Sequence, residues 1–311
     1  MKNTRPLISV IIPCYNVAPF VCRAVQSIID QTYKNLEIWI IDDASTDDTL
    51  QKINSFEDQR ITVIVLKENT QKIGAVNEVL QKVNGDYIAF QDSDDWSEPN
   101  RIEEQLKEFF KEDQLGICFT NYRCIGSQTF LPEKTSLTNE ELRNEFFNFY
   151  KKDTIRQPTV CGTMMISRAA LQQTTGYNPY FTGRVAEDIQ WVYRILKDFK
   201  GVTIDKSLYN YRSRRDSFTQ IQSTGTNAKY AYSWQLLSKI IHQDVYEGVD
   251  VLTNENRELL RKLELEACEE ALVKTTQLLN ETRLVYENST SYKLGKLLSA
   301  PFRFIKTLLG K

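Results

Sequence analysis

The chain has 311 residues, 41% of them hydrophobic and 26% charged, with a net charge of −2, the balance of an ordinary globular protein with room for one large domain or two smaller ones. Near-neutral charge gives no global attraction to nucleic acid, and no run of 18 apolar residues offers a membrane-spanning helix. Cys14, Cys22, Cys118, Cys124, Cys161 and Cys268 form no CxxC pair and His242 is the single histidine, which speaks against zinc, a disulfide framework and a multi-histidine metal site. With no leader ahead of the first apolar run, a cytoplasmic protein is expected.

Residues 7–12 form a short apolar run stopped by Pro13, as suits a strand buried on both faces. Helical spacing follows over 19–32 through Phe20, Ala24, Val25, Ile28 and Ile29. A second strand is predicted at 36–41, ending in Asp42-Asp43, and a helix led by Asp47 and Asp48 runs through Ile53. A third strand at 61–66, a helix at 74–83 and a fourth strand at 86–91 complete four strand–helix alternations, the pattern of an α/β domain with a mostly parallel sheet. A helix at 102–112, a strand at 115–120, a helix near 139–151, a strand at 163–167 and a helix at 189–196 come next. Beyond about Gly225 the pattern becomes nearly continuous helix, amphipathic over 255–285 and suited to packing or self-association.

The fourth strand delivers Asp92, Asp94 and Asp95 within four residues, and such crowded charges repel unless a cation sits among them. Residues two apart in an extended segment face the same way, so Asp92 and Asp94 can point at one object while Asp95 points elsewhere. Magnesium-type ions take one or two carboxylates plus phosphate oxygens, so the segment reads either as a metal-bound phosphorylated ligand site or as a solvated acidic turn. Ligands of open α/β sheets sit beyond the carboxyl ends of strands. Here three predicted strands end in Pro13-Cys14-Tyr15-Asn16, Asp42-Asp43 and Asp92-Ser93-Asp94, a convergence that favours the site.

Three segments, 9–16 (Ser-Val-Ile-Ile-Pro-Cys-Tyr-Asn), 41–47 (Ile-Asp-Asp-Ala-Ser-Thr-Asp) and 90–95 (Phe-Gln-Asp-Ser-Asp-Asp), followed by 186–191 (Ala-Glu-Asp-Ile-Gln-Trp), occur in order. Together they resemble the GT-A-fold family 2 glycosyltransferases over roughly residues 6 to 220. The resemblance implies a Rossmann-like, mostly parallel sheet flanked by helices over 1–224, with a C-terminal helical extension over 225–311. It implies inverting transfer of a hexosyl or N-acetylhexosaminyl group from a nucleotide-diphosphate sugar to a saccharide or lipid-linked acceptor, in surface polysaccharide synthesis. Pro13 and Tyr15 then match the strand end lining base and ribose, and Asp43, with Asp42 beside it, matches the acid that accepts from the nucleobase. A uracil N–H would suit that acid, which favours a UDP-sugar. Asp92 and Asp94 match the DXD acids, with Asp92 near ribose and metal and Asp94 ligating Mn²⁺ or Mg²⁺. Residues 69–77 resemble a family segment whose basic residue here is Lys72, although Val76 stands where many relatives carry arginine. Asp188 matches the catalytic base and Glu187 would orient it or the acceptor; the pair also suits the positive end of a helix starting at Ile189. Trp191 reads as core. Arg212 is the candidate cation near the diphosphate, with Arg214 and Arg215 competing for that place.

Two other functions fit parts of this pattern. An aspartate-nucleophile phosphohydrolase is one, although Trp96 stands where its signature has Thr or Val. A non-catalytic nucleotide-sugar binder is the other. The tail 289–311 carries Lys293, Lys296, Arg303, Lys306 and Lys311 among Leu294, Leu297, Leu298, Phe302, Phe304, Ile305, Leu308 and Leu309, with no acid. It is expected either to lie on an anionic membrane, peripheral at its inner face, or to pack back on the domain. A homo-oligomer through the long helix is a further expectation.

Overall fold

The computed structural model describes residues 5–126, 136–148, 161–214 and 228–288. Strands β1 (Ile8–Cys14), β2 (Leu36–Asp42), β3 (Ile61–Val65) and β4 (Tyr87–Phe90) pair in parallel. The remaining strands are β5 (Trp96–Ser97), β6 (Leu115–Gly126), β7 (Met165–Ser167) and β8 (Lys200–Ser213). Together they make one sheet in the order β3-β2-β1-β4-β7-β6-β8-β5. β7 lies antiparallel between β4 and β6, β8 runs parallel to β6, and β5 is antiparallel to β8. The sheet is therefore mixed but dominated by parallel pairs, as the alternation predicted.

Helices α1 (Val21–Ile29), α2 (Thr49–Ile53), α3 (Gln71–Leu80) and α4 (Arg101–Lys111) connect the first half. α5 (Asn139–Phe147), α6 (Arg168–Thr174) and α7 (Glu187–Asp198) belong to the second half, and α8 (Ala228–His242) and α9 (Arg257–Asn288) form the C-terminal extension. Alternate strand residues face opposite layers. Ile8, Val10 and Ile12 of β1 bury against Val21, Val25 and Ile28 of α1 and Ile102, Leu106 and Phe109 of α4. Ile11 faces the other layer, with Val76 and Val79 of α3 and Trp191 and Ile195 of α7. Burial on both sides explains why these strands read as unbroken apolar runs rather than alternating ones.

The order of the first four strands sets the place of a site. β1 is followed outward by β2 and β3 on one side and has β4 on the other. Strand addition changes side of the sheet there, and the carboxyl ends of β1, β2 and β4 open onto a common crevice. Cys14 pairs with Asp42 and Ile11 with Phe90, so the polar residues after each strand emerge side by side.

Some boundaries differ from expectation. α3 begins at Gln71 rather than Gly74, because the Asn69 side chain accepts from the Gln71 N–H at 3.0 Å and starts the helix early. α7 begins at Glu187, which places Glu187 and Asp188 in its first turn instead of ahead of it. The expected continuous C-terminal helix is broken after His242, where a wider turn over Gln243–Glu247 ends on Gly248 at φ +66°, a left-handed conformation suited to glycine. Leu236, Leu237, Ile240 and Ile241 of α8 join the same apolar layer as α7, so the extension is built onto the core. α9 buries Leu263, Ala267 and Ala271, and Lys239 of α8 pairs with its Glu266 and Glu270. Past Thr275 most of its apolar side chains lie open, among them Leu279, Leu284 and Val285. No helix among the described residues is long and apolar enough to cross a membrane. The tail 289–311 and Arg215 lie outside the described residues.

One buried cation ties the second half of the sheet to the first. Arg101 at the start of α4 is fully buried; Nη1 donates to the Gly162 carbonyl and Nη2 to the Phe90 carbonyl, both at 2.7 Å. Burial lowers its pKa to about 10, so it still carries its charge at neutral pH. Arg101→Ala is expected to cost about 3 kcal/mol or more in urea unfolding, since two buried carbonyls lose their donor and a cavity opens.

Candidate active site

A cleft of about 560 Å³ lies beyond the ends of β1, β2 and β4 and is closed on its far side by the start of α7. Pro13, Tyr15, Asp43, Lys72, Asp92, Asp94, Glu187 and Asp188, drawn from both halves of the chain, all line it. Asp42 and Arg212 do not; Arg214 does.

The loops after β1 and β2 are stitched together. Asn16 donates its N–H to Ser45 Oγ and accepts from the Thr46 N–H, while Ala18 and Val17 donate to Asp47 and Thr49. Asn16 and Ala44 hold left-handed φ values of 50° and 60° to make this fit. Asp42 is buried beneath the loop, where Oδ2 accepts from the Ser45 N–H. Asp43 is turned to the cleft. Its Oδ1 accepts from the Thr70 N–H at 2.7 Å and the Thr70 hydroxyl at 3.0 Å, and Oδ2 has no partner among the described residues. Tyr15 is 46% exposed at the mouth, a ring surface open to a flat ligand.

The acidic run after β4 is held from below. The Asp92 N–H donates to Tyr209 Oη at 3.1 Å, and Gly162 lies directly beneath: a Cβ there would come 2.0 Å from that oxygen and 2.8 Å from Asp92 Oδ2. Asp94 Oδ2 pairs with Arg214 Nη2 at 2.9 Å, and Asp92 Oδ1 with Lys72 Nζ at 3.4 Å. Asp95 is buried and accepts from the Arg212 N–H at 2.7 Å. Burial, then the Asp92 charge, push the Asp94 carboxyl up, with Arg214 pulling it back; burial and both neighbouring acids push Asp95 well above the ordinary range. Arg212 turns its guanidinium away from the cleft: Nε donates to the Asp94 carbonyl and the group stacks between Phe20 and Trp96, 4.9 Å from each ring centroid.

The far wall carries the acidic pair. Lys72 Nζ lies 3.6 Å from Asp188 Oδ2 as well as 3.4 Å from Asp92, bridging the two sides of the cleft. Burial alone would lower its pKa, yet Asp188 and Asp92 outweigh that and hold it well above the usual lysine value. The Tyr177 hydroxyl donates to Asp188 Oδ1 at 2.6 Å, and the buried Cys161 thiol, pushed up first by burial and then by Asp188, lies beside them. Ala186, at φ 72°, makes the sharp entry into α7, so Glu187 and Asp188 sit at its positive end. Arg184 lines the cleft next to them; it stacks on Tyr180 at 4.3 Å and faces Glu264 of α9 at 3.6 Å, and Glu264 also accepts from the Tyr180 hydroxyl. The C-terminal extension thereby supports the wall that bears Asp188.

Trp191 is fully buried core, as expected of it. Arg101, Tyr177, Cys161 and Arg184 are site residues that the sequence reading passed over. Tyr177 could have been noticed only as a tyrosine eleven residues before Asp188, a spacing with no periodic meaning.

Oxygen donors from Asp92 and Asp94 are the right chemistry for a hard divalent cation, which fills its remaining positions with phosphate oxygens and water. Among the described residues no group of three His, Cys, Asp or Glu is arranged to hold an ion alone. The pair therefore fits a cation that arrives with, or is completed by, a phosphorylated ligand.

Burial, then the Asp188 charge, push the Glu187 carboxyl up to about 8 from an ordinary 4.5. Between those values the folded protein keeps a proton that the unfolded chain releases, so stability falls as pH rises through that window. Glu187→Gln, which cannot titrate, is expected to flatten the decline in Tm recorded between about pH 5 and pH 8.

Comparisons with known proteins agree with this geometry. Residues 9–175 match the family described as Glycosyl transferase family 2. The chain is 32% identical over 228 residues to the teichuronic acid biosynthesis glycosyltransferase TuaG of Bacillus subtilis, covering 70% of this chain and 84% of that one. TarS 1–349 of S. aureus, solved in complex with UDP-GlcNAc, has a similar fold with a TM-score of 0.60 at 15% identity, over 86% of this chain and 88% of that one. The mannosyltransferase PcManGT of Pyrobaculum calidifontis, in complex with GDP-Man and Mn²⁺, gives a TM-score of 0.57 at 18% identity, over 99% and 89% of the two chains. The sheet order, the acidic crevice and these matches agree: the chain belongs to glycosyl transferase family 2 and has the GT-A fold.

Proposed function

We propose that this transferase moves a hexosyl or N-acetylhexosaminyl group from a UDP-sugar to a hydroxyl of a saccharide or lipid-linked acceptor, with inversion, in the synthesis of a surface polysaccharide. One observation carries the proposal: carboxylates from the ends of β2 and β4 and the start of α7 line a single cleft with Lys72 and Arg214 among them. The name of TuaG, the UDP-GlcNAc complex of TarS and the GDP-Man and Mn²⁺ complex of PcManGT support it by analogy.

The roles follow from position. Tyr15 and Pro13 would face the base and ribose, and Asp43 Oδ2 would accept from a uracil N–H. Asp92 and Asp94 would hold Mn²⁺ or Mg²⁺, which when bound neutralises charge building on the departing diphosphate. Lys72 and Arg214 add fixed positive charge at the same place, where the leaving group becomes more anionic as the sugar bond breaks. The acceptor oxygen attacks the anomeric carbon from the side opposite the diphosphate; the bond to the phosphate oxygen breaks, and Asp188 takes the acceptor proton. Glu187, its carboxyl pushed up by burial and by Asp188, would orient the acceptor or Asp188 rather than compete for the acceptor proton. The protein would work in the cytoplasm, at the inner face of a membrane where the acceptor is lipid-linked. A second copy would pack on the open apolar side of α9.

Thermal shift with UDP-glucose and UDP-GlcNAc, each with and without Mn²⁺, tests the donor and the ion together. Metal-dependent stabilisation is expected, and Asp94→Asn should remove the metal-dependent part; equal shifts with and without metal would reject the assignment of that pair. Asp188→Asn should keep UDP binding and lose turnover by about 100-fold or more. Binding of UDP with no transfer to any of a panel of saccharide acceptors would favour the non-catalytic binder instead.

A further inference from the structure

We propose that Tyr177 is a positioning residue for the general base: its hydroxyl fixes the Asp188 carboxylate in the orientation from which it receives the acceptor proton. This rests on the role given to Asp188 above and adds a group that does not itself line the cleft.

A tyrosine hydroxyl buried in a core needs some acceptor, and a backbone carbonyl would serve. Here the acceptor is a carboxylate oxygen of the cleft, at 2.6 Å, a short charge-assisted bond. Tyr177 has little freedom to go elsewhere. It is 2% exposed, and its ring packs against Trp191 with centroids 4.6 Å apart at 60°. Its backbone is bracketed by one side chain: Asn77 Nδ2 donates to the Tyr177 carbonyl at 2.8 Å, and the Tyr177 N–H donates to Asn77 Oδ1 at 3.0 Å. The bracket closes because residue 176 is glycine. At φ +96° a side chain there would be strained, and its Cβ would come 2.7 Å from Asn77 Oδ1. Arg194, further along α7 than Asp188, donates to the Gly176 carbonyl and holds the same turn from the other side.

The two oxygens of Asp188 are thus controlled from one helix. α3 reaches Oδ2 directly through Lys72, at 3.6 Å, and reaches Oδ1 indirectly, through Asn77 and Tyr177. Lys72 is shared with Asp92, so its pull alone would draw the Asp188 carboxylate toward the nucleotide side of the cleft. Tyr177 supplies the opposing restraint. Each carboxylate oxygen still has a lone pair for an acceptor hydroxyl after these contacts are made. A base displaced by about an ångström loses much of its effect, on the order of 100-fold, so this restraint bears on rate more than on binding.

Tyr177→Phe removes only the hydroxyl and keeps the ring against Trp191. In the full-length protein, UDP release from UDP-GlcNAc and from UDP-glucose in the presence of Mn²⁺ is expected to fall roughly 10- to 100-fold in kcat. The donor KM and the UDP affinity by calorimetry should stay within about twofold, a split that a general loss of structure would not give. The crystal structure of the variant should show the Asp188 carboxylate turned toward Lys72. Wild-type turnover in Tyr177→Phe, or an Asp188 carboxylate left in place, overturns the proposal. Asp188→Asn run alongside separates the two levels. Retained turnover there means that the base has been misassigned, whereas an inactive Asp188→Asn beside an unimpaired Tyr177→Phe rejects the positioning role alone.

Discussion

Mutual repulsion among carboxylates governs this molecule. Asp92, Asp94 and Asp95 follow one another at the end of a buried strand, and Glu187 and Asp188 face them across a cleft. Left alone, such a group would drive the strand ends apart or titrate to neutrality. The fold answers with cations drawn from different elements: Lys72 from α3 between Asp92 and Asp188, Arg214 from the residue after β8 on Asp94, and Arg101 beneath, on the carbonyls of Phe90 and Gly162. Arg212 contributes as well, through its backbone N–H on Asp95 and its side chain on the Asp94 carbonyl. Asp95 and Glu187 bear the crowding most: burial and the neighbouring acids push both carboxyls up, with Lys72 acting in the opposite sense on Glu187.

This arrangement explains the division of labour between the halves of the chain. The first four strands place acidic residues at a switch point by topology alone. The balancing charges come from helices and from the long β6–β8 pair, which is added to the sheet through β7. The C-terminal helices, which carry none of the acids lining the cleft, nonetheless brace its wall through Glu264, Tyr180 and Arg184. Site and scaffold are therefore mechanically continuous from the central sheet to α9.

The acids were legible in the sequence, and Lys72 with them through the resemblance, but the choice between Arg212 and Arg214 and the place of Arg101 were not. Strands β1, β2 and β4 announce themselves as apolar runs because both faces are buried, and the residues just past those runs, the buried Asp42 excepted, supply Tyr15, Asp43, Asp92 and Asp94 to the crevice. Lysine and arginine carry no such signature. Arg212 and Arg214 stand two apart, and strict alternation would aim them alike. β8 ends at Ser213, so Arg214 escapes the alternation and turns to Asp94 while Arg212 packs on Phe20 and Trp96. Register shifts around Asn121 in β6 add to the difficulty, since they change which residues of β8 face each side. Tyr177 and Arg101 act through contacts across 11 and 61 positions, distances at which no local pattern speaks.

Gly162 shows how narrow the tolerances beneath the acidic run are. Its missing side chain lets Tyr209 and Asp92 come together over it, and even a methyl group would overlap both. Any larger residue here would make the Tyr209 hydroxyl and the Asp92 carboxylate give way, and the Asp92 N–H would lose the oxygen that holds it. A change at this one position would therefore be felt at the far end of Asp92, inside the crevice, without any residue that lines it having been altered.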